Sequence, residues 1–272
     1  MTIKQALKKA TKELAILENP FLEASLILSG VMKKPRIYFI AHEKQLLPLA
    51  VLNKFFTLVK KRQCGYPLAY LLQSQEFYGL NFYIDERVLI PRPESEAIIE
   101  KAQQWLEQQN SKSFLVADIG TGSGCLALTL AFLNRQKNWK LKIIATDISP
   151  AALAVAQYNQ QLLGLTKAAI EFRPGDLCQP LTPEKGNFDL ILANLPYLTP
   201  AEYCNKKEGL IFEPAQALIG GINGDELLQR FQKQAPSYLR QGGQIIYEKR
   251  GGKVECLTKE NATARVRQTK SL

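Results

Sequence analysis

From Phe114 onward the chain alternates short apolar runs with helix-forming segments, and this alternation constrains the fold more than any other feature. Runs at Phe114 to Ile119, Lys142 to Asp147, Ile170 to Arg173, Asp189 to Ala193 and Gly243 to Glu248 read as strands. Segments at Cys125 to Phe132, Pro150 to Leu163 and Asp225 to Leu239 read as helices between and after them. Strands alternating with helices predict a parallel sheet, doubly wound, with both faces covered.

The front of the chain has another character. Ile3, Ala6, Leu7, Ala10, Leu14 and Leu17 recur at helical spacing, and Phe21 to Leu28 and Leu49 to Val59 follow more loosely. Breaks fall at Glu18-Asn19-Pro20 and Lys34-Pro35. Residues 1–74 are therefore expected to form a small helical domain. The aromatic, alternating Phe77 to Ile84, followed by Val88-Leu89-Ile90, reads as a β-hairpin linker over residues 75–94. A helix is expected from Ser95 to Gln108, opening a domain over residues 95–272.

Charge and cysteine content narrow the function classes. The net charge of +10 admits an acidic partner without requiring one. Five cysteines, an odd number with no CxxC pair, argue against a disulfide framework and a zinc site, and for a reducing compartment. No run approaches the length of a membrane span and the N-terminus lacks the apolar core of a signal peptide, so a cytoplasmic location is expected. His42 is the only histidine, so a Ser-His-Asp or Cys-His mechanism would rest on a residue outside the α/β part. A helix-end or surface role is expected for it.

Two motifs carry the chemistry. Val116-Ala-Asp-Ile119-Gly120-Thr121-Gly122-Ser123-Gly124-Cys125 joins a strand to a helix, where glycines allow close ligand approach and helix amides face outward. Its G-x-G-x-G spacing departs from the dinucleotide fingerprint G-x-G-x-x-G. Asp147 ends the second strand, where an acid can grip ribose hydroxyls, and Asp176 with Leu177 follows the third, near an adenine. Both acids could instead cap helices. The second motif, Asn194-Leu195-Pro196-Tyr197, stops the fourth strand. Asn194, the Leu195 carbonyl and the Tyr197 face could hold a planar nitrogen by its N–H groups.

These residues in this order resemble a class I S-adenosylmethionine-dependent methyltransferase. Further blocks narrow the resemblance to the HemK/PrmC family: Gly65-Tyr-Pro67-Leu-Ala-Tyr70, Phe77-Tyr78-Gly79-Leu80, Leu89-Ile-Pro91-Arg-Pro93-Glu94 and Glu213-Pro214-x-x-Ala217-Leu218-x-Gly220-Gly221. The resemblance spans nearly the whole chain. It implies a Rossmann-like α/β sheet with a small N-terminal helical domain. It also implies methylation of the glutamine amide in the Gly-Gly-Gln motif of peptide chain release factors, with S-adenosyl-L-homocysteine as by-product. Gly120, Thr121, Gly122, Ser123, Gly124, Asp147, Asp176, Leu177 and Asn194 are then the cofactor residues, and Asn194, Leu195, Pro196 and Tyr197 the catalytic ones. Metal, membrane and nucleic acid are not required, and a monomer is expected.

Two departures from the family pattern stand out. The family usually has Asn-Pro-Pro-Tyr where this chain has Leu195, and Asn-Leu-Pro-Tyr is also typical of rRNA adenine dimethyltransferases. Adenine N6-methylation of rRNA or DNA is thus the alternative activity. After Glu248 a helix is expected around Val254 to Glu260 and a strand at Thr263 to Thr269, with the family's last strand missing. An inactive cofactor-binding scaffold is the second alternative.

Overall fold

The computed structural model describes residues 1–137, 139–166, 170–204 and 207–261. They fall into two compact units: Met1–Ser74 with Lys207–Phe212, and the remaining described residues from Gln75 on.

The first unit is helical: α1 (Ile3–Glu13), α2 (Pro20–Met32), α3 (Arg36–Ala41), α4 (Leu49–Gln63) and α5 (Leu68–Leu72). Thr2 opens α1 with a reciprocal cap, its hydroxyl accepting the Gln5 N–H while the Gln5 side chain accepts the Thr2 N–H. The apolar stripe of α1, Ile3, Ala6, Leu7 and Ala10, is buried against Ala24, Ile27, Leu28, Phe55 and Val59. Pro20 begins α2, and Pro35 ends the link that leads into α3. His42 is exposed at the end of α3, stacked on Tyr38 at 3.9 Å between ring centres.

The second unit begins with a short hairpin, β1 (Gln75–Phe77) and β2 (Leu80–Phe82), closed by Tyr78-Gly79. Val88-Leu89-Ile90 does not join it as a strand. A 3-10 turn at Pro93–Ser95 leads into α6 (Glu96–Gln108). Then follow β3 (Ser113–Ile119), α7 (Cys125–Lys137), β4 (Lys140–Asp147), α8 (Pro150–Leu162), β5 (Ile170–Pro174), β6 (Phe188–Ala193), α9 (Pro200–Cys204), α10 (Glu226–Gln234), β7 (Leu239–Lys249) and β8 (Lys253–Thr258).

The six strands from β3 to β8 form one sheet in the order β5-β4-β3-β6-β7-β8, parallel except for β8. Adjacent strand residues feed opposite cores. Val116, Leu190, Leu192 and Ile246 pack with Ile98, Ile99 and Leu128, while Ala117, Ile191, Ala193 and Tyr247 pack with Phe231. Every residue of β6 is buried, which is why the strand runs apolar from Leu190 to Ala193 instead of alternating, while the buried Asp189 near its start accepts the Leu115 N–H and pairs with Arg240. The chain order reverses between β3 and β6, and open α/β sheets bind ligands beyond the strand ends at that point.

Two expected elements differ. The helix expected to Leu239 ends at Gln234, followed by a 3-10 turn over Ala235–Ser237, because β7 already claims Leu239 as a strand residue. The expected helix at Val254 to Glu260 is instead largely β8, a strand over Lys253–Thr258. Gly251 and Gly252, at φ 83° and 73°, reverse the chain so that this segment pairs antiparallel with the free edge of β7. A tertiary ladder overrides the helical spacing of its apolar residues. The strand expected at residues 263–269 lies outside the described residues. Among the described residues no helix is long and apolar enough to cross a membrane.

Candidate active site

The loop after β3 turns at Gly120, whose φ of 72° suits glycine and whose missing side chain leaves room for Leu195. A Cβ there would lie 3.0 Å from Leu195 Cδ2. The two sequence motifs thus meet at the sheet's switch point. They open onto a cavity of about 300 Å³ whose lining includes Gly120, Gly122, Asp147, Leu177, Asn194 and Pro196. Leu195 and Asp176 also line it.

The remaining motif residues stand behind the cavity wall. Thr121 and Ser123 are buried, and the Ser123 carbonyl accepts a 2.9 Å bond from Asn159 Nδ2. Gly124 starts the α7 ladder by accepting the Leu128 N–H at 2.8 Å. Tyr197 is half-buried beside the turn and outside the cavity lining, its phenol held above its ordinary pKa by burial and then by Glu248.

Asp147 ties β4 to the glycine loop. Its Oδ2 accepts the Gly122 N–H at 2.9 Å and its Oδ1 accepts the Ser149 N–H at 2.8 Å. It is not the cap of α8, since the Ser149 hydroxyl fills that position by accepting the Ala152 N–H. Burial raises the Asp147 pKa, against the pull of those N–H bonds. Each oxygen keeps a lone pair for a ligand hydroxyl. Asp176 caps no helix either and forms an ion pair with Arg230 at the cavity edge.

Asn194 is fixed by partners that spacing did not reveal. Its Nδ2 donates to Ser95 Oγ at 2.7 Å, and Ser95 Oγ donates to Glu248 Oε2 at 2.6 Å. Ser95 and Glu248 are both buried. The Glu248 pKa is raised by burial and by Glu94, and lowered by the Ser95 hydroxyl.

Further wall residues come from unexpected segments. Arg87, Val88 and Leu89 line one side, and Pro214, Gln216 and Ala217 another. A buried clamp joins these segments: Glu213 Oε2 accepts the Ile90 N–H at 3.0 Å, and Oε1 pairs with Arg92. The Pro-Arg-Pro-Glu and Glu-Pro blocks therefore belong to one structural device. Gly220 presses so close behind the Asn-Leu-Pro-Tyr turn that any side chain would collide with the Pro196 carbonyl.

Asp118, beneath the glycine loop, is fully buried and accepts from Thr121 Oγ1 at 2.6 Å and Ala127 N at 3.2 Å. Burial pushes its pKa up to about 6. Among the described residues no group of three or more His, Cys, Asp or Glu side chains is arranged to hold a metal.

Comparison with known proteins decides the family. The model of the PrmC N-terminal domain matches residues 5–72, and that of ribosomal protein L11 methyltransferase (PrmA) matches residues 100–198. A release factor glutamine methyltransferase from Moorella thermoacetica is 38% identical over 251 residues, 91% of this chain and 85% of its own length. The chain belongs to the release factor glutamine methyltransferase family.

A second member of that family, from Koribacter versatilis, is 35% identical over 252 residues, 91% of this chain and 86% of its own. Among solved structures, a ribosomal protein L11 methylase from Lactobacillus delbrueckii subsp. bulgaricus is 26% identical. It covers 56% of this chain and 59% of its own at a TM-score of 0.36. The motif-based resemblance is borne out along both the helical module and the Rossmann-like methyltransferase sheet.

Proposed function

We propose that this enzyme transfers a methyl group from S-adenosylmethionine to the side-chain amide nitrogen of the Gly-Gly-Gln glutamine in peptide chain release factors. The carrying observation is that Asn194, Leu195 and Pro196 line the same cavity as Gly120, Gly122 and Asp147, in a chain of this family. The donor set suits S-adenosylmethionine. Asp147 offers acceptors for ribose hydroxyls, and Ile119, Ile148 and Leu177 give apolar wall for a flat base.

When bound, S-adenosylmethionine supplies a methyl group already activated by its sulfonium. The residues of the chain then have mainly to position the acceptor. An amide nitrogen is a weak nucleophile because its lone pair is delocalised into the carbonyl. In this reading Asn194 Oδ1 and the Leu195 carbonyl accept the two amide N–H bonds of the glutamine. Those bonds orient the lone pair and favour the positive charge that grows on nitrogen during transfer. Pro196 and Tyr197 wall the glutamine side chain. Leucine at position 195 suits the role because the contact asked of it is made by backbone. The enzyme works in the cytoplasm, as a monomer and without nucleic acid.

Incubation with labelled S-adenosylmethionine and purified release factor, beside rRNA, tests this reading. Label is expected in the release factor. Label confined to rRNA would replace the reading with adenine methylation.

A further inference from the structure

We propose that Ser95 and Glu248 are positioning residues that set which end of the Asn194 amide faces the substrate. The inference rests on the reading of Asn194 as the acceptor for the substrate amide.

Ionised Glu248 can only accept hydrogen bonds. Ser95 Oγ lies 2.6 Å from its Oε2, the length of a charge-assisted O–H···O⁻ bond, so the single hydroxyl proton is committed there. Ser95 Oγ then has only lone pairs to offer Asn194 at 2.7 Å. The Asn194 atom facing it must be a donor, which is Nδ2, and Oδ1 is left for the cavity. An uncharged partner in place of Glu248 could reverse the chain. It would donate to Ser95, Ser95 would donate to Asn194 Oδ1, and the NH2 group would face the substrate's own N–H groups with nothing to accept them. The carboxylate therefore imposes one polarity on a side chain that otherwise has two nearly isosteric orientations.

Burial makes the arrangement rigid. Ser95 and Glu248 are 2% and 3% exposed, so water cannot substitute for either partner. The three residues lie on separate elements: the turn before α6, the end of β6 and the end of β7. The relay thus also holds the Asn-Leu-Pro-Tyr turn in place against both.

The test compares Ser95→Ala, Ser95→Thr, Glu248→Gln and Asn194→Ala in steady-state methylation of a release factor, with cofactor affinity measured by calorimetry. Ser95→Ala should lower kcat about 10–100-fold, the scale of a small misplacement at a reacting group, while S-adenosylmethionine affinity stays unchanged. Ser95→Thr, which keeps the hydroxyl, should restore most of kcat. Should Ser95→Ala fail to fold, isosteric Glu248→Gln reads the same property, and a loss of about 10-fold in kcat is expected. Wild-type kcat in Ser95→Ala or Glu248→Gln, with Asn194→Ala inactive, would overturn the relay and leave the proposed function standing. Full activity in Asn194→Ala would overturn the acceptor reading itself.

Discussion

Asp147 at the end of β4 accepts the Gly122 N–H at 2.9 Å, so one carboxylate both shapes the glycine loop and faces the cavity that the loop lines. Asp147→Ala should weaken S-adenosylmethionine binding by roughly 1–3 kcal/mol, the range for leaving hydrogen-bonding groups unpaired in a buried site. Calorimetry on the purified variant measures it. Unchanged affinity would remove Asp147 from the ribose contact.

Glu213 is buried beneath two cavity walls, holding the Ile90 N–H and the Arg92 guanidinium. Glu213→Ala strands both donors. Arg92 is one-third exposed and keeps part of its hydration, so a loss of about 1–3 kcal/mol is expected. Denaturant unfolding reads the change, and a midpoint equal to the wild type's would show that the clamp adds nothing.

Asp118 links pH to stability with a defined sign. Its pKa rises from 3.8 to about 6 in the fold, so the folded chain binds a proton more tightly than the unfolded one. That contribution is full below the unfolded value and is lost as pH rises through about 6. Asp118→Asn stays neutral throughout. The stability of the wild type relative to Asp118→Asn should therefore fall by roughly 2 kcal/mol between pH 4 and 7, out of about 3 kcal/mol for the whole shift at 1.36 kcal/mol per pKa unit. A difference independent of pH would contradict the burial of an ionising group at this position.

Glu248 links pH to turnover. Burial raises its pKa, as does Glu94 beside it, and the Tyr197 phenol faces it from the turn after β6. Its ionised form is the one that fixes Asn194. As pH falls through that raised value, Glu248 gains a proton and kcat should decline, above the pH range of an ordinary carboxylate. Glu248→Gln should flatten this acid limb, because glutamine does not titrate. The same limb persisting in Glu248→Gln would assign it to another group.

The sheet was legible because its chemistry is local. The unbroken apolar run Leu190–Ala193 in β6 and the glycine loop between β3 and α7 announce a covered parallel sheet wherever they occur. The Asn194 turn was legible for the same reason, since Pro196 must end the strand. The relay was not, because Ser95 lies 99 residues from Asn194 and 153 from Glu248, and spacing along the chain carries no sign of that meeting. The same holds for the Arg92–Glu213 clamp, whose two blocks were visible separately while their pairing was not. β8 escaped a reading along the chain because what makes it a strand is its pairing with the open edge of β7, which spacing does not announce.

The most direct test of the proposed activity is mass spectrometry of a release factor co-expressed with this chain. A single added methyl is expected on the glutamine of Gly-Gly-Gln, absent when that glutamine is changed to alanine and absent with the Asn194→Ala enzyme. An unmodified glutamine beside methylated adenine in rRNA would contradict the assignment.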